Sequence, residues 1–90
     1  MHQIEIKEEA LPILKQGLAL QKRLNELKIE DYSERLQRFE EKSQMKSVDF
    51  ARKFETGELG DDPHWFDWLF AYEAWKKAGQ KKKIIESLSL

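Results

Sequence analysis

Apolar residues in this chain fall into short stripes at helical spacing, and the stripes change face more often than one amphipathic helix requires. Ile13, Gly17, Leu20, Leu24 and Leu27 step by four, three, four and three, while Leu11, Leu14 and Leu18 form a second stripe beside them. A helix carrying both stripes packs on more than one neighbour. Its start is placed near Glu8 to Leu11, because acids suit the positive end of a helix and Pro12 is tolerated only in a first turn. Gly17 costs up to about 1 kcal/mol relative to alanine at mid-helix, so it is read as a point where another backbone comes close.

The spacing resumes at Ile29, Tyr32, Leu36 and Phe39, and the segment Ile29-Glu30-Asp31-Tyr32 is read as a turn into a second helix. These two helices make an antiparallel hairpin that ends at Ser43-Gln44. Ser47 is expected to cap a short third helix, VDFARKFE, with Val48, Ala51 and Phe54 on one face and Phe50 joining Phe54. Gly57 and Gly60 supply the positive φ angles of a helix stop and a tight loop. Asp61 or Asp62 then caps a fourth helix with Pro63 at its first position, the most specific local signal in the chain. That helix carries Trp65, Trp68, Tyr72 and Trp75 at spacings of three, four and three. Phe66, Leu69, Phe70 and Tyr72 are expected to meet the hairpin, and Gly79 to close the helix. Residues 80–90 are read as a flexible tail or a short terminal helix. The expected fold is all-α: a single domain over 1–90, a small bundle of four helices or five, with the N-terminal hairpin packed on the C-terminal aromatic-rich helix.

Composition narrows the chemistry. The chain has 40% apolar and 37% charged residues and no cysteine, which removes disulfides, thiolate metal sites and cysteine nucleophiles. Its first residues lack the pattern of a signal peptide and no apolar run approaches the roughly 18 residues of a membrane span, so a cytoplasmic location without membrane contact is expected. The net charge of −1 conceals a segregation: Glu55, Glu58, Asp61, Asp62, Asp67 and Glu73 occupy a stretch with no Lys or Arg, followed by Lys76, Lys77, Lys81, Lys82 and Lys83. Asp61, Asp62, His64 and Asp67 are a cluster of metal-ligand types, but their spacing matches neither a calcium loop nor a zinc motif, and capping accounts for the aspartates. Phosphate-binding loops, nucleotide fingerprints and nucleophile motifs are missing from the sequence. The reading is non-enzymatic, with no catalytic residue, metal or cofactor.

The run 49-DFARKFETGELGDDPHWFDWLFAYEAW-75 resembles a family of small uncharacterised prokaryotic helical proteins. Its pattern is Phe-x-x-x-Phe-Glu-x-Gly-Glu-Leu-Gly-Asp-Asp followed by Trp68, within a match of roughly residues 36 to 76. The chain departs from it at Pro63-His64, where members tend to have a small or acidic residue. Some members are antitoxin-like, so the resemblance implies an antitoxin-like component of a toxin–antitoxin pair. Independently, Trp and Tyr are enriched at binding hot spots, and the aromatic helix carries more ring surface than a small bundle needs. The expected function is a protein–protein interaction module docking through Trp65, Trp68, Tyr72, Trp75, Asp61 and Asp62, onto a protein partner or onto a second copy as a homodimer. The alternative is a small nucleic-acid-binding regulator using Lys76, Lys77, Lys81, Lys82 and Lys83.

Overall fold

The computed structural model describes residues 8–88. A 3-10 turn, Glu8–Ala10, leads into α1, Leu11–Ser43; α2 spans Ser47–Glu55 and α3 spans Pro63–Ser87. All regular structure among the described residues is helical, as expected, but there are three α-helices rather than four or five. The antiparallel hairpin within the N-terminal half does not exist. Residues 29–32 hold neither Gly nor Pro, and Asp31 pairs with Arg35 one turn on at 3.0 Å, so nothing breaks the backbone ladder there. What changes near residue 28 is the face that is apolar.

A left-handed Gln44, φ 53°, ends α1, and its backbone N–H donates to the Glu40 carbonyl. Ser47 does not cap α2; Lys46 occupies that position, while the Ser47 N–H donates to Glu40 Oε2 at 2.8 Å. Val48 turns outward at 63% exposure, and the buried face of α2 is built on Phe50 instead, whose larger ring stacks on Trp68. Gly57 and Gly60 have φ of 76° and 77°, Asp62 Oδ1 accepts the His64 N–H at 2.9 Å, and Pro63 opens α3, all as read from the sequence. Gly79 does not close α3. It keeps a helical conformation, and the Gln and Lys residues after it propagate the helix to Ser87, so residues 80–87 of the segment read as a separate tail continue the aromatic helix.

The return helix lies antiparallel along α1. Trp68 stacks on Phe39, the Trp75 indole donates to Ser33 Oγ at 3.1 Å, Asn25 Nδ2 donates to the Ala78 carbonyl at 2.8 Å, and Lys81 reaches Gln21. One core forms where all three helices meet, around Leu36, Phe50, Trp68 and Ala71. Beyond it only two helices remain. The molecule is accordingly a rod of 55 × 30 × 19 Å with a radius of gyration of 18.2 Å; a compact chain of this length has about 12 Å.

Candidate docking groove

The seam of α3 that faces α1 runs through His64, Trp68, Ala71, Trp75 and Ala78, steps of four and three that keep one stripe against a neighbouring helix. This seam sorts the expected docking residues into different places. Trp68 lies at its centre with 0% exposure, sandwiched between Phe50 at 4.0 Å and Phe39 at 5.7 Å, and its indole N–H donates to Ser47 Oγ at 3.0 Å. It is core, not surface, because α2 folds over it. Trp65 is half-buried against Phe50 and His64 at the edge of the same cluster. Asp61 and Asp62 are exposed in the loop, where Asp62 is engaged as the cap of α3.

Phe66 and Phe70, expected to meet the N-terminal hairpin, stand on the outer face of α3, more than half exposed. The hairpin they would have packed on is a single rod lying on the other side of α3. Phe66 contacts the edge of Phe54 at 5.4 Å.

Tyr72 and Trp75 remain accessible together. Their rings stack at 6.2 Å and line an open groove of about 610 Å³ with Ser33, Leu36, Gln37, Glu40, Lys46, Ser47 and Val48. The groove exists because α2 is only nine residues long. It covers the α1–α3 seam over Trp68 and starts at Ser47, so the continuation of that seam at Trp75 is left open. Trp75 is 38% exposed but its polar atom is occupied by Ser33, which presents the ring as an apolar wall in a fixed orientation. Lys76 Nζ lies 5.3 Å from the Tyr72 ring centre, setting a positive charge against that ring.

Val48 and Ser33 belong to this groove and were not among the expected docking residues; Val48 was expected to share the packed face of Ala51 and Phe54. Only the structure turns Val48 off the Ser47, Phe50, Ala51 and Phe54 face of α2, and nothing in the sequence marked Ser33. The acidic loop is not part of the groove: Asp62 precedes Trp75 by thirteen residues, about 20 Å along the helix.

The lysines of the alternative reading ring α3 rather than share a face. At about 100° per residue, Lys77 and Lys81 point one way, Lys76 and Lys83 another, and Lys82 a third. Lys76 approaches Glu73 at 4.0 Å and Lys82 approaches Glu86 at 3.9 Å. The His64 ring lies against Phe39 at 5.4 Å, and among the described residues no three His, Asp or Glu side chains converge. Nor is any helix among them long and apolar enough to cross a membrane. Comparison with protein-family models, curated proteins and solved structures finds no match to this chain.

Proposed function

We propose that this chain is a non-enzymatic protein-interaction module whose Tyr72–Trp75–Val48 groove receives an apolar helix of a protein partner. The carrying observation is the open aromatic groove in line with α2. A partner helix laid there would extend the short α2 layer along the α1–α3 seam, the geometry by which amphipathic helices are bound in grooves. The acidic stretch from Glu55 to Glu73 would act at longer range, drawing in a partner with a basic surface and raising its association rate rather than forming the anchor. An antitoxin-like role, implied by the resemblance at Gly57 to Asp62 and Trp68, is the specific form of this reading, with a basic RNA-cutting toxin as the partner. Nucleic-acid binding is not favoured, since the lysines present no single basic face.

Capture from the native host, compared between the wild type and Trp75→Ala, tests the groove. A partner retained by the wild type and reduced at least about tenfold by Trp75→Ala, with unchanged helical circular dichroism, is the expected result. Equal recovery by both proteins would remove the groove from the interface.

A further inference from the structure

We infer that an open cavity between α1 and the start of α3 binds a small phosphomonoester carrying a planar ring, of which a mononucleotide is the common form. The cavity, of about 500 Å³, is lined by Arg35, Arg38, Phe39, Lys42 and His64. Its volume lies within the roughly 300–1,000 Å³ of small-ligand sites. It shares no residue with the Tyr72–Trp75–Val48 groove and lies on the other flank of the α1–α3 seam. At about 100° per residue, Ser33, Gln37 and Glu40 fall to one side of Leu36 and Phe39, and Arg35, Arg38 and Lys42 to the other. Residues 1–7 join the rod at its far end and reach about 25 Å at most, whereas Leu11 to Arg35 spans about 36 Å, so they do not enter this cavity.

Three cations stand on one face of α1 within about 10 Å, because residues 35, 38 and 42 follow the three-four spacing that keeps side chains together. Arg38 and Lys42 are one turn apart and reach a single anion between them. Arg35 pairs with Asp31 at 3.0 Å and Arg38 with Glu34 at 3.8 Å, each with an acid of the preceding turn, in exposed pairs weak enough for a doubly charged ligand to displace. Lys42 takes part in none of the ion pairs among the described residues. Asp62 is engaged by the His64 N–H, and neither it nor Asp61 nor Asp67 lines the cavity.

The remaining wall is aromatic. Phe50, Trp68 and Phe39 form one nearly parallel stack, with interplanar angles of 2° and 8°. Trp68 in its middle is fully buried, while Phe39 at its end is half-buried and lines the cavity. His64 stands beside Phe39 at 5.4 Å, tilted by 52°. A planar ring set in this corner packs on rings already held in place, while its phosphate meets the cations.

The combination selects the ligand class. Cations alone suit any anion and rings alone any flat molecule; both in one cavity favour a compound that carries both. A phosphomonoester brings nearly two negative charges and three acceptor oxygens, which matches three cations better than the single charge of a carboxylate does. A basic face only about 10 Å long is a single-phosphate site, short of the extended track that a nucleic-acid strand follows.

Amide chemical shifts of the full chain, followed by NMR at low salt during titration with AMP, test this. Saturable shifts at Phe39, Lys42 and His64 are expected below about 10 mM, with adenosine and ribose 5-phosphate each at least about fivefold weaker. The double variant Arg38→Gln, Lys42→Gln should weaken AMP by about tenfold or more at unchanged helical circular dichroism, because both phosphate contacts are charge-assisted. Arg23→Gln, remote from the cavity, should leave AMP binding unaltered, as should Trp75→Ala, so failure of the groove and failure of this site are distinguishable. No saturation, inorganic phosphate binding as tightly as AMP, equal loss in Arg23→Gln, or an oligonucleotide bound more tightly than AMP would overturn the proposal.

Discussion

At the scale of single residues, the structure turns on the stack of Phe39, Trp68 and Phe50. Trp68 brings both demands of an indole to one place: a large apolar area, met by two nearly parallel rings, and one N–H donor, met by Ser47 Oγ. Trp68→Ala should cost about 3–5 kcal/mol, a large part of the roughly 5–13 kcal/mol available to a domain of this size. Ser47→Ala leaves the indole donor unsatisfied while removing little volume, and should cost about 1–3 kcal/mol. Urea titrations followed by circular dichroism check both, and equal stability of Ser47→Ala and wild type would mean the hydrogen bond contributes nothing. Which tryptophan is buried was not legible beforehand. Trp68 and Trp75 share one stripe and one chemistry; only the nine-residue reach of α2 separates core from groove.

At the scale of elements, the loop and cap before Pro63 were legible, whereas the start of α2, the end of α3 and the continuity of α1 were not. Asp62 before Pro63, and the glycines at 57 and 60, act through their own backbone preferences and need no distant partner. The step from Leu27 to Ile29 breaks the four-three rhythm and so reads as a turn, although the backbone passes through it undisturbed. Glu30→Pro separates these alternatives. Within a continuous helix it removes a ladder hydrogen bond and clashes with the preceding turn, costing about 3 kcal/mol or more; in a turn it would be close to neutral. A thermal melt with helical ellipticity as the readout decides, and an unaltered melting temperature would restore the hairpin. Gly79 teaches the converse. A glycine stops a helix when it adopts the left-handed conformation, and here the α1–α3 seam, with Asn25 donating to the Ala78 carbonyl beside it, holds the helical one.

At the scale of the whole molecule, the consequence of a 33-residue helix paired with a 25-residue one is a rod with a core at one end. X-ray scattering at concentrations low enough to hold the monomer should give a radius of gyration near 18 Å. A value near the roughly 12 Å of a compact bundle would show that the chain folds back as a hairpin after all. The elongated form also explains why so many apolar residues stay at the surface. A two-helix pair has two outward faces, and among the described residues apolar side chains on them stay exposed.

By itself the sequence determined the all-helical class, the loop and cap before Pro63, and the existence of each apolar stripe, because these follow from backbone preferences and from spacing within a single helix. Tertiary structure alone decided the partner of each stripe: α3 against Asn25 to Phe39, and α2 over Trp68. The physical reason is that burial depends on what lies across from a face, and periodicity records only that a face exists.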